Sequence, residues 1–246
     1  MSDRLLRPGE VRVWTLAAEN DEVAAYLAVL GPDELERFHR FPATGDRRDY
    51  AAGHALLRRA LTHCAGGAVA PADWSFRTTE HGRPEISAPS APSAPSAPAA
   101  HAELRCNLSH SQGVVAVVVT VRSDCGIDVE QLPVELPVVA GARAARHLST
   151  QDVATLAALP AGDRALTYAR IWTLKEAYAK ARGLGTLLPF AEISVTLGDA
   201  PSVAGPADPS HGWHAQQWQP SPTHVAAVVV RGAPGIVTIR TVMPAG

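Results

Sequence analysis

Two hydrophobic periods run along the chain and predict an alternation of helices and strands. Residues 11–16 alternate apolar and polar and predict a first strand, and 74–78 is strand-like too. Between them, Leu35, Phe38 and Phe41 recur at helical spacing over 32–41. A longer helix is predicted from about Asp46 to Ala65, stopped by Gly66 and Gly67. Residues 80–84 read as a turn, and Ser-Ala-Pro then repeats four times over 87–98. That repeat has no apolar periodicity and predicts a semi-extended tether rather than a packed element. Residues 106–111 lead into 114–121, an almost wholly apolar strand expected to be buried on both faces. A short strand over 125–130 puts Asp128 and Glu130 on one face and Ile127 and Val129 on the other. Helices are expected over 138–147 and 150–159, and strands over 193–197, 213–218, 225–230 and 236–242.

The most informative pattern lies in the helix predicted to open near Asp163, as N-cap, and to run through Arg182. Gly183 and Gly185 end it, and Pro189 prevents its resumption. At about 100° per residue, Arg164, Lys175 and Arg182 fall together and predict the solvent side. Glu176 and Lys180 fall roughly opposite, beside Trp172, Ala165 and Leu166, one turn apart and able to meet. A surface pair would sit on the wet face. A carboxylate and an ammonium on an apolar arc need partners, because burying an unpaired charge is costly. The arrangement fits a site that holds a metal and an anion together.

Composition narrows the classes. The 246 residues can enclose a sizeable core, with 46% hydrophobic and 19% charged residues. A formal net charge of −2 carries no basic excess, so nucleic acid is not expected as a partner. No apolar run approaches the roughly 20 residues of a membrane span, and the first ten residues hold no signal-peptide core. Cys64, Cys106 and Cys125 form no CxxC and read as reduced thiols of a cytoplasmic protein.

Chemistry concentrates in a few stretches. Asp128 and Glu130 side by side repel unless a cation sits between them, and with Glu176 they make three hard oxygen ligands suited to Mg²⁺. An exposed strand face with two solvated acids is the plainer alternative. Arg47 and Arg48 in the first turn of a helix make a candidate phosphate cradle, against ordinary solvated arginines. A Ser109-His110-Asp128 triad can be drawn, but the chain has no nucleophile elbow, and its ten histidines include no HExxH.

Asn107-Leu108-Ser109-His110-Ser111, Gly126-Ile127-Asp128-Val129-Glu130 and the run Trp172 to Lys180, W-T-L-K-E-A-Y-A-K, occur in an order and spacing that resemble one family. They resemble the 4′-phosphopantetheinyl transferases of the long, surfactin-synthetase-activating type. E-R-F-H-R-F at 36–41, the basic run 46–59 and H-G-R-P at 81–84 are similar too, so the likeness spans about 11–197. The resemblance implies an α+β fold of two similar halves, 1–123 and 124–246, related by a pseudo-two-fold, with coenzyme A in the cleft between them. It implies Asp128, Glu130 and Glu176 as magnesium ligands and Lys180 on the pyrophosphate. Ser109 and His110 match residues at the 3′-phosphate, with the pyrophosphate a second target for His110. Arg83 matches a basic position near the nucleotide, and Arg37, Arg40, Arg47 and Arg48 are further candidates for the 3′-phosphate.

The implied reaction moves phosphopantetheine from coenzyme A to a serine of an apo acyl or peptidyl carrier protein. Lys180 would offset leaving-group charge, and Glu176 would act as base, metal ligand or both. A cytoplasmic monomer is expected, with no membrane partner. Two departures stand out: Glu34 replaces a lysine found in some relatives, and the Ser-Ala-Pro tether lengthens a usually short connection. A coenzyme A- or carrier-binding module without turnover and a magnesium-dependent phosphohydrolase stay open as alternatives.

Overall fold

The computed structural model describes residues 5–78, 84–87, 103–133, 144–205, 212–232 and 235–240. Arg83, nearly all of the tether and the first part of the helix expected over 138–147 lie outside them. In chain order the elements are β1 (Glu10–Ala17), α1 (Val23–Leu27), α2 (Pro32–Arg40), α3 (Thr44–Cys64), β2 (Ser75–Thr78) and β3 (Pro84–Ser87). Then come β4 (Leu104–Ser111), β5 (Val114–Val121), β6 (Cys125–Gln131), α4 (Ala144–His147), α5 (Thr150–Ala158) and α6 (Ala161–Arg182). The last are β7 (Ser194–Thr196), β8 (Ser202–Ala204), β9 (Trp213–Ser221), β10 (His224–Arg231) and β11 (Ile236–Arg240).

Two sheets carry this mixed α/β fold, one ordered β11-β1-β5-β4 and the other β6-β10-β9. Short ladders β2-β3 and β7-β8 complete the pairing. Period-two alternation divides the side chains of the first sheet between two cores. Trp14, Val115, Val117 and Val119 pack under α3 with Leu56, Leu57 and Leu61. Val11, Val13, Ala116 and Val118 face the other way and meet Ile127, Val129, Ala226 and Val228 of the second sheet. All of β5 is buried, as its apolar run predicts. The far face of the second sheet packs on α6 through Ala227 and Val229. β11 pairs in parallel with β1, so the last described strand completes the sheet that the first described one begins.

α6 starts earlier than expected. Pro160, not Asp163, is its N-cap residue, because proline suits a helix boundary, and Asp163 lies in the first turn. Gly183 ends the helix at φ 67°, the left-handed conformation that glycine adopts without strain. The solvent side expected for Lys175 is overturned. Its side chain is fully buried, and Nζ donates to Asp152 Oδ2 at 2.5 Å and to the carbonyls of Phe190 and His147 at 2.8 and 3.2 Å. Three acceptors use all three ammonium hydrogens, so a lysine is tolerated where a wheel, blind to α5, expects water. Asp152 also closes a capping box with Ser149 at the start of α5.

Candidate active site

β4 and β6 are edge strands of their sheets, and they meet through side chains rather than a backbone ladder. Asn107 Oδ1, Ser109 Oγ and Ser111 Oγ accept from the amides of Ile127, Val129 and Gln131 at 3.0, 3.3 and 3.2 Å. The N-x-S-x-S spacing thus caps otherwise unpaired donors along β6. On the other side of β6, Gly126 meets α6 backbone to backbone. A Cβ there would stand 2.0 Å from the Ala177 carbonyl oxygen and 2.4 Å from the Ala181 nitrogen. Only glycine permits this approach, which carries the acids of β6 to the helix.

Lys180 reaches across from α6. Its Nζ donates to Asp128 Oδ1 at 2.6 Å and to Ser109 Oγ at 3.0 Å, and Ser109 itself donates to Asp128 Oδ1 at 2.9 Å. The ion pair one turn back with Glu176, allowed by the helix spacing, does not form. Glu176 accepts no hydrogen bond among the described residues. Glu130 is held at both oxygens, by Ser111 Oγ at 3.1 Å and Trp172 Nε1 at 3.3 Å. Asp128 Oδ2 is buried and has no hydrogen-bond partner among the described residues.

The three acids share one electrostatic situation. Burial raises Asp128 above the usual carboxylate range, against the Lys180 charge and hydrogen bonds. Burial and then the Asp128 charge raise Glu130. Burial and the charges of Asp128 and Glu130 push Glu176 up to about 7, with Lys180 opposing. One ammonium faces three carboxylates, and among the described residues no three His, Cys, Asp or Glu side chains are already grouped as a metal site. Even so, an orphaned buried oxygen and three hard oxygen donors, all with raised proton affinity, fit a divalent cation.

The structure separates Ser109 from His110. Neighbours on a strand point to opposite faces, so Ser109 joins Asp128 and Lys180 while His110 turns towards α3. Burial lowers the His110 pKa, and the charges of Asp49, His54, Lys180 and Asp46 act on it as well. Of the arginines, Arg48 is committed to Asp49 at 2.7 Å, and Arg40 pairs with Glu36 on the surface. Arg37 lies over the Tyr50 ring at 5.7 Å. The Arg47 amide donates to the Ala43 carbonyl at 3.1 Å, and its side chain makes no hydrogen bond among the described residues.

Glu34 occupies a structural position that composition alone does not reveal. It accepts from the Gly31 amide at 2.8 Å, pairs with His54 Nδ1 at 2.7 Å and meets Arg58 Nη2 at 2.7 Å. Burial works against its charge, but the His54 hydrogen bond and the His54 and Arg58 charges hold it down at about 2. Arg58 continues to the carbonyls of Pro71 and Trp74 at 2.9 and 2.8 Å, tying α2, α3 and the start of β2 together.

A cavity of about 210 Å³ opens beside Glu130, lined by Gln131, Pro133, Tyr168, Ala169 and Trp172. Tyr168 and Trp172 stack at 6.4 Å and form its aromatic wall. A larger cavity of about 460 Å³ beside β9 holds none of the candidate residues, and chemistry rather than size locates the site.

Residues 124–229 match the family model described as the 4′-phosphopantetheinyl transferase superfamily. The chain is similar to the 4′-phosphopantetheinyl transferase HetI of Nostoc sp., at 30% identity over 91% of this chain and 88% of that one. It is also similar to a Bacillus subtilis 4′-phosphopantetheinyl transferase, at 28% identity over 74% of this chain and 72% of that one. The transferase Sfp of Bacillus subtilis strain 168 is 25% identical over 72% of this chain and 70% of its own.

Proposed function

The chain belongs to the 4′-phosphopantetheinyl transferase superfamily, and from that membership and the site geometry we propose how it transfers phosphopantetheine from coenzyme A to a carrier protein. The observation that carries the reading is the convergence of Asp128, Glu130, Glu176 and Lys180 from β6 and α6, locked by Ser109.

Asp128, Glu130 and Glu176 would hold magnesium, which when bound supplies charge neutralisation at the pyrophosphate oxygens. Asp128 keeps Lys180 in place, and the lysine side chain, 27% exposed, lies where its ammonium can meet a substrate phosphate. A carrier serine oxygen bonds to the β-phosphorus, the bond to the departing phosphate oxygen breaks, and 3′,5′-ADP leaves. Lys180 offsets the charge that grows on that oxygen. Glu176, with no hydrogen bond among the described residues and a pKa of about 7, takes the serine proton directly or through water.

Coenzyme A lies in the cleft between halves 1–123 and 124–246, which this reading relates by a pseudo-two-fold. Each half lays one long helix, α3 or α6, across antiparallel strands, and that likeness supports the relation, although β11 of the second half joins the first sheet in parallel with β1. His110, Arg37 and Arg47 take the 3′-phosphate from the α3 side, with Arg83 a further basic contact. The partner is an apo acyl or peptidyl carrier, and the enzyme acts as a monomer in the cytoplasm.

The test incubates the protein with apo carrier, coenzyme A and Mg²⁺ and follows carrier mass. A gain of one phosphopantetheine group, dependent on magnesium, is expected. Binding without mass gain, or coenzyme A hydrolysis without transfer, would favour the binding-module or phosphohydrolase alternative.

A further inference from the structure

Ser109 and Ser111 repeat one geometry two residues apart. Each hydroxyl accepts from the amide that follows an acid on β6 and donates to that acid, Ser109 to Asp128 and Ser111 to Glu130. A hydroxyl has one proton, so in each case it is spent on the carboxylate. Ser109 also receives Lys180, which mixes its roles. Ser111 has no such second duty and touches one acid only.

Its position is held from both sides. The Ser111 carbonyl accepts from the buried His224 Nε2 at 3.1 Å, and the Gly113 amide in the turn beyond it donates to Asp49 Oδ2 at 2.8 Å. With its backbone fixed between α3 and β10, the hydroxyl has a defined place from which to aim Glu130. Trp172 fixes the other oxygen.

We infer that Ser111 is a positioning residue for Glu130, orienting its carboxylate towards a divalent cation. The inference rests on the metal reading of the three acids and names a residue that the transfer chemistry itself does not use. Outer hydrogen-bond partners of metal-binding carboxylates typically account for tenfold or more in metal affinity. Removing the hydroxyl should spare the fold, because Gln131 is exposed and water can take over its amide.

The experiment measures Mn²⁺ binding by electron paramagnetic resonance, with coenzyme A present and no carrier, beside a thermal melt. Ser111→Ala should weaken Mn²⁺ binding about tenfold while Ser111→Thr stays within about twofold of the starting protein. Added to Glu130→Gln, Ser111→Ala should cost nothing more, because its effect runs through that carboxylate. Unchanged binding in Ser111→Ala, or an equal loss with and without Glu130→Gln, would overturn the inference. Unchanged binding in Glu130→Gln alone would overturn the metal reading together with it. If Ser111→Ala does not fold, Ser111→Cys keeps the volume, donates only weakly and carries the same comparison.

Discussion

Lys180 Nζ stands 2.6 Å from Asp128 Oδ1, so a cation on α6 is anchored by an acid that lies 52 residues earlier on β6. Asp128 is 3% exposed and would be costly to ionise alone, whereas Lys180 keeps one side towards solvent. The pair therefore holds a half-open ammonium at a fixed point beside two further carboxylates.

Glu176→Gln and Lys180→Ala should each lower transfer to apo carrier by at least about a hundredfold, the scale of losing a positioned catalytic group. Both should still melt cooperatively. Glu176→Gln should weaken the magnesium dependence, and Lys180→Ala should retain it. Carrier mass followed at several magnesium concentrations checks this; near-normal transfer with only a lowered melting point would reduce the two residues to a structural role.

Ser109 and His110 should separate by ligand. His110→Ala should weaken coenzyme A binding much more than binding of 3′-dephospho-coenzyme A. Ser109→Ala should affect both equally, because Ser109 contacts Asp128 and Lys180 rather than the α3 side. Titration calorimetry with the two ligands decides it, and equal losses in His110→Ala would remove the 3′-phosphate assignment.

Lys175→Met should destabilise the fold by about 3–5 kcal/mol, since it leaves Asp152 buried without its cation. Asp152→Asn should lose part of the same energy and loosen the start of α5. Urea melts of the single and double variants should show a cost for the pair well below the sum. Additive losses would mean the two residues act independently.

Gly126→Ala should force α6 away from β6, because the added Cβ would overlap helix backbone that cannot rotate aside. A loss of about 1–3 kcal/mol, the usual range for overpacking, or more is expected, together with a loss of transfer activity. Full activity at an unchanged melting point would show that the strand and helix can separate at no cost.

Acid stability should depend on Glu34. Its folded pKa of about 2 lies below the ordinary glutamate value of 4.5, so its charged form stabilises the fold. That contribution, about 3 kcal/mol at most, is fully present above about pH 4.5 and lost as pH falls towards 2. Glu34→Gln should therefore destabilise at neutral pH and flatten the acid limb of a stability–pH curve measured by urea melts between pH 2 and 7. An unchanged acid limb would assign the acid sensitivity to other groups.

Much of the fold and the site is legible in the amino-acid order. The burial of 114–121 follows from an almost wholly apolar run, and the paired placement of Asp128 and Glu130 from the period of two. The three motifs identify the family because each keeps its chemistry within a few neighbouring residues. The failure over Lys175 has a clear cause. A helical wheel puts Lys175 in water because it sees only its own helix, and Asp152 lies on another. Adjacency groups Ser109 with His110, although adjacency on a strand means opposite faces. Ser149-x-x-Asp152 and Asn107-x-Ser109-x-Ser111 are readable as a cap and a polar face, but nothing local says what they meet.

By itself the sequence determined the periods, most of the longer elements, the run of acids and lysine in the motifs and the family they mark. These are properties of short stretches, in which backbone geometry alone places side chains relative to one another. Only the tertiary structure decided that Lys180 pairs with Asp128 rather than Glu176, that a glycine brings β6 against α6, and that β4 serines hydrogen-bond to Asp128 and Glu130. Each of those depends on which distant surfaces pack together, and the partner of a buried charge is settled by that packing rather than by distance along the chain.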